Sequence, residues 1–174
     1  MTESVTDGTS DDTIDVAESL QQATSTTVEV QQGTVDVRLA ITSEDVHAAE
    51  HLFERELQAD AVRRFLGDGG HHLILAWDGD RPVGMVTVIE LTYPDRGTEM
   101  FIYDMRVDDQ CRGRGIGHAM LDALEKLARD TLCDGVWVVT GTGEKNAGAR
   151  ATFRSRGAKE DTERVRYSWR TAVD

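Results

Sequence analysis

Three glycines at alternate positions, Gly113, Gly115 and Gly117, separate a strand-like run from a long helical one. The segment reads Val107-Asp108-Asp109-Gln110-Cys111-Arg112-Gly113-Arg114-Gly115-Ile116-Gly117-His118, and Ala119, Met120, Leu121, Leu124, Leu127 and Ala128 continue it at helical spacing. Glycines let backbone N–H groups turn towards one centre and let a ligand approach closely. The helix N-terminus adds partial positive charge, and Arg112 and Arg114 add full charges, so the segment reads as a pyrophosphate cradle. It is not a Walker loop, because no Gly-Lys-Ser/Thr follows. Nor is it a good dinucleotide fingerprint, because no acidic residue closes a following strand about 20 residues on. A tight strand-to-helix turn without a ligand is the alternative.

The rest of the chain supplies a layered α/β setting for this loop. Val35, Val37 and Leu39 alternate with polar residues as a first strand. Thr42 or Ser43 offers an N-cap, with Glu44 and Asp45 at the positive end of a helix. Val46, Ala49, Phe53 and Leu57 continue that helix, and a second helical piece runs through Val62, Phe65 and Leu66 to Gly67. Leu73–Trp77 is a strand, turned by Asp78-Gly79-Asp80 into an antiparallel partner at Val83–Leu91. Met100–Val107 is the strand that enters the glycine loop. After the long helix, through Leu132, come a buried strand at Val136–Thr140, a helix from Asn146 to Gly157 and closing strands to Trp169. The order β-α-α-β-β-β-α-β-α-β is a mixed α/β layer fold.

A length of 174 residues suits one domain, and the net charge of −13 is unevenly placed. No basic residue precedes Arg38, while residues 1–32 hold seven acids. That stretch has few large apolar residues to offset its chain entropy, so residues 1–33 are expected to be a disordered acidic tail and residues 34–174 a single domain. A pI near 4.7 argues against phosphate neutralisation and hence against a nucleic-acid partner. No apolar run is long enough for a membrane span, and no signal-peptide pattern opens the chain. Two cysteines, Cys111 and Cys133, build no disulfide framework, so a cytoplasmic, reducing setting is expected. Three lysines against sixteen arginines, with abundant aspartate, fit a salt-adapted, halophilic surface. A GC-rich genome is the other explanation.

Gln110-x-x-Gly113-x-Gly115 resembles the acetyl-CoA signature, Gln/Arg-x-x-Gly-x-Gly/Ala, of the GNAT superfamily of N-acetyltransferases. Met105-Arg106-Val107 resembles the hydrophobic-x-Val step that ends the preceding strand. Asn146, Ala149, Phe153 and Gly157 fall at the spacings of the family's Asn-x-x-Ala-x-x-x-Tyr-x-x-x-Gly helix. The resemblance covers about residues 34–170. It implies the GNAT fold, a mostly antiparallel mixed sheet with helices on both faces, and acetyl-CoA as co-substrate without a metal. It further implies that amides from Arg112 through Gly113, Arg114, Gly115 and Ile116 to Gly117 hold the pyrophosphate. The main chain of Met105, Arg106 and Val107 would pair with the pantetheine, in a slot opened by splay of the following strand, and Asn146 would contact the same arm. Residues 143–170 hold eight bases against four acids, which fits an anionic cofactor on that side. One departure stands out: the family's proton-donating tyrosine is Phe153 here. The thiolate then leaves unassisted, through water, or with help from Tyr103 or Cys111.

On the substrate side, Ile102-Tyr103-Asp104 and Leu52-Phe53-Glu54-Arg55-Glu56-Leu57 resemble aminoglycoside 3-N-acetyltransferases. Acetylating an amine needs a carboxylate, directly or through water, to take a proton from an ammonium that is mostly charged at pH 7. Asp104 and Glu99 are the candidates, on opposite faces by strand alternation unless a bulge intervenes, and Asp104 is preferred. An ion pair with an arginine is the plain alternative for Asp104. Glu54, Glu56 and Asp95 offer anchors for a cationic substrate. The expected acceptor is a small-molecule primary amine, with an amino sugar, a polyamine or a peptide amine as the range, and a homodimer fits the superfamily. Two other classes are considered. His47-x-x-Glu50-His51 matches an inverted zinc-hydrolase pattern, and the missing tyrosine permits a non-catalytic acetyl-CoA-binding module.

Overall fold

The computed structural model describes residues 9–163 and Arg166. Six strands form one sheet in chain order: β1 (Thr26–Val30), β2 (Gly33–Leu39), β3 (His71–Asp78), β4 (Arg81–Tyr93), β5 (Gly97–Val107) and β6 (Gly135–Val138). Neighbours are antiparallel except β5 and β6, which run parallel. A parallel pair needs a crossover, and α4 (Ile116–Asp130) supplies it. This is the GNAT fold expected from the motif.

Strand alternation sends apolar side chains to both faces. Leu73, Leu75, Trp77 and Met85 meet Val46 of α2 (Ser43–Ala48) and Val62 of α3 (Ala59–Gly67) on one face. The other face lies under α4, which buries Met120, Leu124 and Leu127. The approach is tight at Gly84, where a Cβ would stand 3.0 Å from Ile116 and 3.1 Å from Met120. Thr42 caps α2 as expected: Asp45 N donates to Thr42 Oγ1 at 3.1 Å, and Thr42 N donates to Asp45 Oδ2 at 3.3 Å.

Several elements differ from the sequence expectation. Residues 9–33, expected as a tail, carry α1 (Thr9–Thr24) and β1. β1 pairs with β2 in register from Thr26↔Val37 to Val30↔Gly33, and Gln21 Nε2 donates to Leu39 O at 2.8 Å. The reason is local: backbone pairing with an existing strand orders a polar segment that has no core of its own. The helix expected from Val46 through Leu57 stops at Ala48. A three-ten turn (Glu50–Leu52) follows, and Phe53 is extended at φ −81°, ψ 154°. Phe53 and Leu57 still reach the core, so helical spacing of apolar residues was satisfied by a different backbone. The long helix ends at Asp130 rather than Leu132, which adopts φ 57°.

The described chain divides into two compact units, one ending at Val139 and the other beginning at Thr140, rather than one unit over 34–174. In the second, a three-ten turn (Glu144–Asn146) leads into α5 (Ala147–Ser155), and Arg150 Nη1 donates to the carbonyls of Gly141 and Gly143 at 2.8 and 2.9 Å. The closing strands expected up to Trp169 lie outside the described residues, apart from Arg166. Among the described residues, no helix is long and apolar enough to cross a membrane.

Candidate active site

The site begins where β6 stops. β5 and β6 pair only from Glu99↔Gly135 to Ile102↔Val138, whereas β5 runs on to Val107. Phe101 and Trp137 stack at the end of this ladder, with ring centroids 4.3 Å apart. From Tyr103 to Val107, therefore, one edge of β5 has no strand partner among the described residues, while its other edge stays paired with β4 up to Val107↔Gly84. Such an edge presents amide donors and carbonyl acceptors to any extended molecule laid along it. Met105 and Val107 sit opposite Val86 and Gly84, so their side chains join the α4 face and their main chain remains available.

A bulge shapes the same stretch. The register passes from Thr87↔Asp104 to Val88↔Ile102, so Tyr103 is an extra residue in β5. It shifts the strand by one, and Glu99, Phe101, Asp104 and Arg106 all come to face the side of Met85 and Thr87. The bulge thus puts the two carboxylates on one face. It does not bring them together, because five residues of strand separate them by about 16 Å. Glu99 stands well away from the open edge.

Asp104 is not alone. Arg106 Nε donates to both of its carboxylate oxygens at 3.2 Å, and Arg106 Nη2 lies 2.5 Å from Glu54 Oε1. Burial opposes the charge of Arg106, but the hydrogen bonds to Glu54 and Asp104 prevail and push its pKa up. The side chain of Arg106 is therefore committed to these two acids, apart from the role expected of its main chain. Glu54 is the member that sequence reasoning left among general anchors; its pairing joins residues 52 apart in sequence, and no local pattern signals it. Beside the trio lies a cavity of about 490 Å³, bounded by Thr87 and Tyr103 on the sheet, Glu54 and Glu56 on the loop, and Val62 and Phe65 on α3. Burial raises the pKa of Tyr103 and the charge of Asp104 adds to the effect, while a hydrogen bond with Thr87 opposes it.

The glycine loop follows β5. Gly113 and Gly115 take φ 77° and 94°, and a Cβ at either would meet no atom within 4 Å, so open space lies in front of both. Gly115 caps α4 with no side-chain hydrogen bond, and no acid occupies the helix's first turn. The first amides of a helix have no partner within it, which suits them to an anion. Ile116 turns its side chain into the core, and Gly117 continues the same first turn. The two arginines depart from expectation. Arg112 pairs with Asp109 at 2.6 Å. Arg114 turns away from the loop: Nε donates to Gln31 O at 3.0 Å, Nη2 to Gln32 O at 3.3 Å, and Nη1 lies 2.9 Å from Asp78. Gln31 N in turn donates to Arg114 O at 3.0 Å. The loop's attraction for an anion thus rests on backbone rather than on two free guanidinium groups. Arg114 instead ties the β1–β2 turn to the loop. Arg114→Ala is expected to speed amide exchange across Thr26–Gly33 and lower the melting temperature, measured by hydrogen exchange and calorimetry.

In the second unit, Asn146 stands at the start of α5 and makes no side-chain cap. Its carboxamide fills the space where a Cβ on Gly141 would lie. Phe153 is buried. Cys111 is buried too, 3.6 Å from Arg114 Nη1. The zinc pattern does not assemble. α2 ends between His47 and His51; His47 Nδ1 lies 2.6 Å from Ser43 O, and His51 Nε2 lies 3.0 Å from Pro82 O. Among the described residues no three His, Cys, Asp or Glu side chains are grouped to hold a metal.

The open strand edge, the bulge and the uncapped glycine loop define an acyl-CoA-type transferase fold. Residues 37–158 match the model of the Acetyltransferase (GNAT) family, and the chain belongs to that family. It is an acyl-CoA-dependent N-acetyltransferase. Solved structures that share the fold include the following three. One is an aminoglycoside acetyltransferase, HMB0005, from an uncultured soil metagenomic sample, with TM-score 0.70 and 19% identity over 79% of this chain and 99% of that one. Another is AAC(6')-Iy in complex with the bisubstrate analog CoA-S-monomethyl-acetylneamine, with TM-score 0.66 and 15% identity over 79% and 99%. The third is a ribosomal-protein-alanine N-acetyltransferase from Brucella melitensis biovar Abortus 2308, with TM-score 0.63 and 20% identity over 79% and 99%. No curated protein matches the chain.

Proposed function

We propose that the protein transfers the acetyl group of acetyl-CoA to a primary amine of a small molecule, by direct attack while both are bound. The observation that carries this reading is the β5 edge from Tyr103 to Val107, which has no strand partner among the described residues and is followed by the glycine loop and the start of α4. Acetyl-CoA, when bound, supplies an activated thioester. The main chain of Met105, Arg106 and Val107 holds its extended arm, and amides from Arg112 to Gly117 hold its pyrophosphate.

Asp104 draws the proton from the acceptor's ammonium, directly or through one water. Arg106 Nε takes one direction at each carboxylate oxygen, and an ionised carboxyl offers about four, so acceptor capacity remains. Tyr103, the bulged residue, replaces the family's tyrosine as donor to the departing sulfur. Its raised pKa keeps the phenol protonated further into the alkaline range, where more of the amine is neutral. Tyr103→Phe is expected to lower kcat about tenfold or more and leave the KM for acetyl-CoA unchanged. Glu99 serves the strand rather than the chemistry.

The acceptor range includes amino sugars, which the likeness in fold to aminoglycoside acetyltransferases supports, and peptide amines, which the likeness to the ribosomal-protein enzyme supports. Initial rates of thiol release with both substrates varied test the reading. Amine-dependent release with intersecting reciprocal plots is expected; acetyl-CoA binding without release against any amine favours a binding module. A cytoplasmic setting and a homodimer accompany the proposal. So does salt adaptation: with a net charge of −13, screening by molar KCl should raise the melting temperature above its value in dilute buffer. Equal values in the two would remove the halophilic reading.

A further inference from the structure

Resting on the acetyl-transfer reading, we propose that the acceptor is an apolar amine: a primary amine on a short arm from one ring-sized or branched hydrocarbon group. The cavity beside Tyr103 has two unlike sets of lining residues. Thr87 and Tyr103 line it from the sheet and Glu54, Arg55 and Glu56 from the loop, and the carboxylate of Glu54 is tied through Arg106 to Asp104. That set suits an ammonium. The apolar lining comes from Val46 of α2, Phe53 and Leu57 of the following segment, Val62 and Phe65 of α3, and Leu73 of β3. Val46, Val62 and Leu73 are buried members of the core, and Phe53, Leu57 and Phe65 are partly buried against it.

Polar side chains at this cavity are confined to Thr87, Tyr103 and the loop from Glu54 to Gln58, so α2 and α3 offer it none. An amino sugar carries hydroxyl or ammonium groups on every face. Placed here, those facing α3 would lose water and find no hydrogen-bond partner. A polyamine would bring a second ammonium against the same aliphatic wall. One aromatic or branched group instead gains burial on that wall while its amine stays among the acids. A volume of about 490 Å³ accommodates such a molecule and lies within the range of small-molecule sites.

Ala61 provides the means to test this. It lines the cavity, is exposed on α3 and belongs to neither the cofactor loop nor the Glu54–Arg106–Asp104 trio. Thiol release is measured for 2-phenylethylamine and 3-methylbutylamine against 2-aminoethanol, spermidine and neamine, in the full chain and in Ala61→Trp. We expect kcat/KM for 2-phenylethylamine to exceed that for 2-aminoethanol by about a hundredfold, the gain from burying one ring. Ala61→Trp should shrink that ratio to below about tenfold with an unchanged KM for acetyl-CoA. Higher kcat/KM for neamine or spermidine than for both apolar amines overturns the inference while upholding acetyl transfer. Release with no amine at all overturns acetyl transfer. Calorimetry then decides the cavity separately: 2-phenylethylamine binding that Ala61→Trp abolishes upholds its apolar preference, and absence of binding overturns it.

Discussion

Gly115→Glu is expected to abolish acetyl-CoA binding in calorimetry while leaving a folded protein. Gly115 holds φ 94° as the cap of α4, a conformation that costs an ordinary residue about 1–2 kcal/mol. That is a fraction of the roughly 5–15 kcal/mol that holds a domain together. No atom lies within 4 Å of the Cβ position, so the new side chain meets open space rather than the fold. In that space it places a carboxylate among amides that have no helical acceptor, where it repels phosphate and takes the amides for itself. Gly115→Ala carries the same backbone strain without charge. It should share the loss of stability and retain measurable binding. Unchanged affinity in Gly115→Glu would remove the cradle from the account.

The second large effect is expected at Asp104. Asp104→Asn should cut turnover about a hundredfold or more and leave acetyl-CoA affinity as it is, because the amide keeps the shape and loses the proton acceptor. Arg106 retains Glu54 as a partner in this variant, so the folded state should lose little; a partly exposed ion pair contributes about 1 kcal/mol at most. Turnover that survives the substitution would reduce Asp104 to an ion-pair residue and shift proton removal to solvent.

The glycine loop and the elements around it were legible because each rests on a short-range rule. Alternation marks β2, near-continuous apolar runs mark β3 and β4, the Thr42–Asp45 pair marks the start of α2, and Gly113 and Gly115 mark a backbone that only glycine enters readily. The site's acids were legible by type but not by arrangement. Alternation alone puts Glu99 and Asp104 on opposite faces, and only the extra residue at Tyr103 reverses this. Nothing in the run Phe101-Ile102-Tyr103-Asp104 announces a bulge, because it arises from pairing with β4. Arg114 illustrates the converse. Its place between two loop glycines implied an anion contact, yet a turn 82 residues earlier supplies carbonyls that hold its guanidinium. The N-terminal segment was misread for a related reason: β1 has little to bury and is ordered by the edge of β2, a property of the partner strand rather than of its own composition.

The fate of the acetyl group is the most direct test of acetyl transfer. The protein is incubated with acetyl-CoA and a mixed panel of primary amines, and both thiol and amide products are quantified by mass spectrometry. The account predicts an N-acetylated amine in equal amount to the thiol released, absent in Gly115→Glu and strongly reduced in Asp104→Asn. Thiol without any amide, or neither product with acetyl-CoA demonstrably bound, would contradict it.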